Sequence, residues 1–402
     1  MNGPIQVAAS VLELARKKNF AGYDPFDGLN SKLFDLIPGL KLGIIGLAWI
    51  QFFKLSPINM RFLLAVPESR NPKGIGLFIL GLLEDFKRTQ GRTYLNIAIE
   101  LADWLLGQQC SRDEWKHACW GYHFDWKARA FFVPKGKPNV ITTTYVARAL
   151  FALAEVLQIE NPVMADRYRQ VALDSADFIT EILYTENDGR NFFAYIPGEI
   201  AFVHNASLWA AAWVAVVAAN KDNIEYRELA LKVARQSVSE QAENGSWVYG
   251  ARHHHQFIDG FHTGYNLEAL NLIRKSLAVD EFDDSIKKGF SYYKATFFEL
   301  DGTAKYYSNN RYPVDMHSVA QAVITLLKLS GEDGNAIHDM QLVQKVITRS
   351  LQTLYLPNKQ RFLYQKTRRY NNKINYMRWT QAWVYYSFAL FNRTQDGLNE
   401  TD

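Results

Sequence analysis

Six stretches of this chain are apolar on nearly every side when wound into a helix: GIGLFILGLLEDF, TTYVARALFALAEVL, NASLWAAAWVAVVAA, TGYNLEALNLI, SVAQAVITLLKL and QAWVYYSFALF. A helix without a polar face has protein all around it. The first begins near Lys73; the others begin near Thr143, Asn205, Thr263, Ser318 and Gln381, roughly sixty residues apart. Amphipathic segments alternate with them. In one, Leu229, Val233, Ala234 and Val238 share a stripe; in another, Phe282, Ile286, Phe290, Tyr293 and Phe297 do. These spacings of three and four put the apolar residues on one helix face. A sustained period of this length marks a repeat of helical hairpins.

An open solenoid exposes one helix layer on its concave side, so both of its layers are amphipathic. One layer apolar all round requires a closed inner ring. The expected fold is therefore all-α: an (α/α)6 toroid of six helical hairpins, one domain over residues 1–393 with a disordered tail over 394–402. The N-terminal helix or the helix at 42–53 is expected to be the missing outer partner of the first hairpin. Inner-to-outer links are short and charged, as in NKDN at 220–223. Outer-to-inner links are long and aromatic, with room for short β-hairpins: 110–142, 184–204, 242–262, 300–317 and 356–379. All the long links then gather at one end of the ring, where loops on a rigid scaffold form a concave mouth.

Composition narrows the partners. The net charge of +4, from 45 basic and 41 acidic residues, is too small to imply a nucleic-acid partner. Basic residues concentrate in 359–378, KQRFLYQKTRRYNNKINYMR, a strip suited to an anionic polymer or to solvent. Cys110 and Cys119 form no disulfide framework, and a reduced, cytoplasmic protein is expected. The N-terminus lacks the order of a secretory signal. The greasiest window, LGIIGLAWIQFF at 42–53, falls short of the roughly 20 residues that span a bilayer. It is expected to be a buried helix, with peripheral membrane contact as the alternative and no transmembrane segment.

Each long link ends in polar residues just before an apolar helix. Thr143, Asn205, Thr263 and Ser318 suit helix capping. Capping does not account for histidine recurring ahead of three inner helices, at His204, His262 and His317; equivalent repeat positions should face one cavity. The run His253–His255 suggests metal, but no HExxH or CxxC spacing accompanies it. No metal and no cofactor is expected. Acid–base work on a glycosidic bond needs paired carboxylates; the candidates are Asp24, Asp27, Asp125, Asp259 and Asp315, with His262 and His317 as further acid–base groups, and Asp259 and Asp315 as a facing pair from adjacent repeats. Glu199 and Glu268 also sit on the long-link side or at an inner-helix start. Proton abstraction beside a uronic carboxylate needs a Tyr or His base plus cationic or amide groups that neutralise the acid. His204, Asn205, His262, Tyr249, Tyr265 and Arg378 supply those types. Lys73, His123, Trp126, Arg129, Trp247 and Trp379 complete the expected substrate-binding set. Trp120, Tyr122, Phe124 and Trp126 alternate along a strand-like run and offer a platform for sugar rings.

The motifs GYDPFDGLNS, NPKGIGLF, WGYHFDWKARAFFVPKGKPNVITT, FVHNASL, FIDGFHTGYNLEAL and YPVDMHSVAQA, spread over about 20–391, resemble those of the VpsJ-type polysaccharide biosynthesis proteins. The resemblance implies the six-hairpin toroid and a place in exopolysaccharide, capsule or O-antigen synthesis. It implies no particular reaction. Relatives often carry the name delta-aminolevulinic acid dehydratase, which the helix-on-helix pattern and the lack of a recognisable Schiff-base lysine context do not support. The expected partner is a polysaccharide or oligosaccharide, and the expected activity glycoside-hydrolase-like. The alternatives are a polysaccharide lyase or uronyl C5-epimerase, and a non-catalytic glycan-binding assembly factor.

Overall fold

The computed structural model describes residues 3–32, 43–127 and 132–399. Along the chain run α1 (Pro4–Lys17), α2 (Gly43–Leu55), α3 (Pro72–Thr89), α4 (Arg92–Leu106), α5 (Val140–Leu157), α6 (Pro162–Phe178) and α7 (His204–Lys221). They are followed by α8 (Ile224–Ser239), α9 (Gly260–Leu277), α10 (Asp283–Phe297), α11 (Met316–Lys328), α12 (Ala336–Thr353) and α13 (Ala382–Asn399). The all-round apolar stretches are α3, α5, α7, α9, α11 and α13. Each packs on the next, and α13 packs back on α3. That closes the inner ring, so the fold is the (α/α)6 toroid. The outer helices α4, α6, α8, α10 and α12 each lie against the inner helix that precedes them. The contrast in patterning has its cause here: α7 buries residues on all sides, including Leu208, Trp209, Trp213 and Val217, whereas α8 buries one stripe, Ala230, Leu231, Val233, Ala234 and Ser237.

Ring closure differs from expectation in its partner. The N-terminal helix α1 packs on α13, the last inner helix, through the buried stripe Val7, Val11 and Ala15. The first inner helix already has α4 beside it through a two-residue link, while α13 has no outer partner later in the described chain. Helix α1 therefore completes the sixth hairpin.

Helix α2 belongs to neither layer, contrary to its reading as a buried or outer-ring helix. It buries Gly46, Ile50 and Phe53 and is tied down by Trp49, whose indole N–H donates to the Gly28 carbonyl at 3.1 Å. The face carrying Ile44, Ile45, Phe52 and Leu55 is exposed. Leu42 lies outside the described residues. The boundary at 394 also moves, because α13 continues to Asn399. Thr394 Oγ1 donates to the Leu390 carbonyl at 2.9 Å, and Asp396 meets Arg88 at 3.5 Å. Helix α5 is long and apolar enough to cross a membrane, but 72% of it is buried among its ring neighbours.

Four of the six inner helices, α3, α5, α9 and α11, start on side-chain caps that precede the expected hydroxyl residues where those were named. Asn71, Asn139, Asp259 and Asp315 accept from the backbone N–H of Gly74, Thr142, His262 and His317. Thr143, Asn205, Thr263 and Ser318 sit inside the first turns. Short β-hairpins do occur in the long links, at Tyr184–Asn187 with Arg190–Phe193 for example. The link after α8 packs tightly on α10: Gly245 has φ 90°, and a Cβ there would lie 2.5 Å from the Lys288 carbonyl oxygen. Only glycine combines that left-handed backbone with so close an approach.

Candidate active site

The long links enclose a cavity of about 460 Å³ above the first turns of the inner helices. Its walls are aromatic. Tyr122 stacks on Phe124 with centroids 5.2 Å apart, Tyr249 stacks on Phe257 at 5.1 Å, and Trp126 and Trp379 also line it. The strand-like alternation holds only in part: Trp126–Lys127 pairs with Phe132–Val133, while Trp120 turns into the core and donates to the Leu105 carbonyl.

The floor is built by inner-helix starts, which bring Lys73 of α3, Asn205 of α7, His262 and Tyr265 of α9 and His317 of α11 into one space. The cap of α9 does two jobs. Asp259 Oδ1 accepts from the His262 backbone N–H at 2.8 Å, and its Oδ2 lies 2.7 Å from His262 Nδ1. A carboxylate on Nδ1 fixes the ring and leaves Nε2 as the free basic atom. One turn along the same helix, Tyr265 Oη meets His317 Nε2 at 2.5 Å. His317 stacks on Trp383 at 4.5 Å. Burial, and then the charges of Lys73 and Arg378, push its pKa well below the ordinary histidine value, so it stays neutral. Burial likewise holds the Tyr265 phenol well above its ordinary value. The rings of His262 and Tyr265 lie 6.0 Å apart, so both reach a single sugar ring.

The electrostatics are lopsided. Lys73 Nζ lies 4.5 Å from the Tyr145 ring centroid and 5.2 Å from that of Trp383. It pairs with no carboxylate among the described residues. Burial and then the neighbouring Arg378 hold its pKa well below the usual lysine value. Lys54, from α2, also lines the cavity and makes no ion pair among the described residues; burial lowers its pKa, while the charges of Asp315 and Asp259 act the other way. Arg378 lines the cavity too, held from behind by a bidentate pair with Asp24 at 2.5 and 2.8 Å. Asp259 is the one carboxylate lining the cavity among the described residues.

Several expected residues lie elsewhere. Asp24 is buried behind Arg378, and Asp27 is buried against Arg61 at 2.7 Å, its pKa raised to about 6 by burial. Asp125 accepts from the Lys135 backbone N–H at 2.7 Å and does not line the cavity. The facing pair of Asp259 and Asp315 is not formed. Asp315 is fully buried, with Oδ1 on the α11 cap and Oδ2 accepting from Gln365 at 2.6 Å; burial raises it to about 6. His123 meets Asn71 at 3.0 Å behind Phe124. His204 lies under Phe202, outside the cavity lining, and burial lowers it to about 4. Trp247 is a core residue that donates to the Ser237 carbonyl. Glu199 pairs with Arg252, and Glu268 with Lys328 and Arg148 below the floor. Arg129 lies outside the described residues. The run His253–His255 forms a short turn from which His254 and His255 reach the cavity rim.

The sequence reading missed Lys54, Gln51, Phe26, Tyr195, Tyr306 and Tyr307, all of which line the cavity. The two α2 residues carried one usable signal: they are the polar positions that interrupt or end an otherwise apolar helix. The tyrosines of the 300–317 link had only their place in a long link.

No protein-family model matches the chain, and no curated protein matches it in sequence. Solved structures do match in shape. Unsaturated glucuronyl hydrolase from Bacillus sp. GL1 superposes with a TM-score of 0.63 at 12% identity, covering 98% of this chain and 96% of that one. Cellobiose 2-epimerase from Bacillus thermoamylovorans gives 0.62 at 11% identity, over 82% and 90%. A polysaccharide lyase gives 0.57 at 12% identity, over 86% and 96%. This chain shares the α/α toroid of those structures. At such identities the likeness is one of fold.

Proposed function

We propose that the protein is a glycan-processing enzyme that moves a proton on an acidic sugar unit, as a uronyl epimerase or a lyase does. One observation carries this reading: an Asp259–His262 dyad and a Tyr265–His317 pair share a cavity with two lysines that make no ion pair among the described residues. In the proposed step His262 Nε2 removes the proton from the carbon beside the sugar's carboxylate. Lys73 and Arg378 face the charge that develops on the carboxylate oxygens, which lowers the cost of forming it. Tyr265, protonated and hydrogen-bonded to His317, donates a proton. Delivered to the opposite face of the same carbon, it completes epimerisation; delivered to the leaving glycosidic oxygen, it completes elimination. The aromatic walls suit the apolar faces of sugar rings.

The α/α toroids that match this chain in shape include a hydrolase, an epimerase and a lyase, and all three chemistries fit the scaffold. Hydrolysis is the second reading, favoured by Asp259 and Asp315 capping adjacent inner helices. It ranks lower because a glycosidase sets two carboxyl groups across the scissile bond, and Asp315 is spent on the α11 cap and Gln365. The resemblance to VpsJ-type proteins supports a glycan made for export as substrate, and the free thiols of Cys110 and Cys119 support a reducing, cytoplasmic site of action. The test is a comparison of matched glycans. Uronate-containing oligosaccharide should be converted, with new ultraviolet absorbance if the step is elimination, and its carboxyl-reduced counterpart should not. Equal turnover of both would refute the role given to the lysines.

A further inference from the structure

Large apolar side chains are exposed in one dense strip on this molecule: Ile44, Ile45, Phe52 and Leu55 of α2, and Ile58, Phe62 and Leu63 in the turn after it. Phe62 is 82% exposed and Ile44 83%. A strip of this kind marks an interaction surface.

What covers it is indicated by its neighbour. The turn between Gln365–Lys366 and Asn371–Asn372 is hydrogen-bonded to the end of α2: Tyr370 Oη donates to the Leu55 carbonyl at 2.9 Å, and Asn372 Nδ2 to that of Ser56 at 3.0 Å. That turn and its flanks carry Lys359, Arg368, Arg369 and Lys373, all exposed and none ion-paired among the described residues. No Asp or Glu occurs in residues 43–67 or 340–395. An apolar ridge beside cations that make no ion pair among the described residues, on segments that carry no acid of their own, is complementary to one kind of surface: apolar chains beneath anionic headgroups.

We infer that this face docks peripherally on anionic lipid bilayers, with α2 and the Phe62–Leu63 turn entering the headgroup region and the 359–373 cations meeting lipid phosphates. Because α2 lines the cavity with Gln51 and Lys54 on another of its faces, docking sets the cavity mouth at the membrane surface. The docking is independent of the chemistry proposed for the cavity.

The test is co-sedimentation of the full chain with phosphatidylcholine vesicles, with and without phosphatidylglycerol. Binding is expected only with the anionic lipid and should weaken as salt is raised. Arg368→Glu/Arg369→Glu should reduce partitioning at least about tenfold, and Phe62→Ser/Leu63→Ser should reduce it at fixed charge, both with unchanged circular dichroism. Failure to bind anionic vesicles would overturn the inference, as would equal binding to neutral ones. So would a shift to dimer that Phe62→Ser abolishes without vesicle binding, since the strip would then be covered by a second copy.

Discussion

At the scale of single residues, the proposed reaction assigns some groups of the cavity to proton transfer and others to holding them. Asp259 lies among the second: its two oxygens serve the α9 cap and His262 Nδ1 at once. Asp259→Asn keeps the cap, since Asn is as good there, but removes the charge that orients and sustains the base. We expect kcat to fall by about a hundredfold or more, with unchanged thermal unfolding; His262→Asn should fall at least as far. Lys73→Met should act differently, raising KM for an acidic glycan, as initial-rate kinetics would show. His204 offers a purely structural contrast. Its folded pKa of about 4 lies below the ordinary 6.5, so the folded state favours the neutral ring. The stability this provides is present above pH 6.5 and is lost as pH falls toward 4. Between pH 7 and 5 the loss from this one group is about 2 kcal/mol. Asp27 and Asp315, raised to about 6, work in the opposite sense over the same window. Denaturant titrations of His204→Phe should therefore show the variant losing less stability than wild type between pH 7 and 5; an unchanged pH dependence would rule out a buried neutral histidine.

At the scale of elements, helix starts do most of the positioning. Asn139, fully buried, caps α5 at 2.8 Å from the Thr142 N–H, and Asn139→Ala should cost about 1 kcal/mol in chemical denaturation while leaving turnover nearly unchanged. Much at this scale was legible from sequence. All-round apolarity identified the six inner helices, because burial on every side leaves no position for a polar residue. The recurrence of His262 and His317 before successive helices indicated a shared cavity, and both line it. His204 shows where that inference fails. It occupies the same repeat position, yet the 184–204 link folds Phe202 across it, and such loop packing leaves no periodic trace. Asp315 differs from Asp259 for a similar reason: Gln365, fifty residues later, pairs with its free oxygen. Helix α2 differs from its expected burial because apolarity alone does not separate a helix buried in protein from one with an open face.

At the scale of the whole molecule, closing the ring is what makes a cavity out of links. The inner ring closes where α13 meets α3, and α1 returns from the chain start to cover the outer side of α13. Val7 and Val11 are both fully buried in that seam. Val11→Ala should lower stability by about 2 kcal/mol in a single cooperative transition followed by tryptophan fluorescence, because the seam and the cavity belong to one ring. Two separated transitions would instead make α1 an independent appendage. The ring is proposed to present a proton-transfer site to an acidic sugar, and the fate of one proton separates that chemistry from hydrolysis. A uronate-containing oligosaccharide incubated with the protein in deuterium oxide, and followed by proton NMR, should lose the signal of the hydrogen beside the carboxylate. With wild type that loss should far outpace the loss with His262→Asn. Cleavage of the glycosidic bond with that hydrogen fully retained would contradict the account and return the site to hydrolysis.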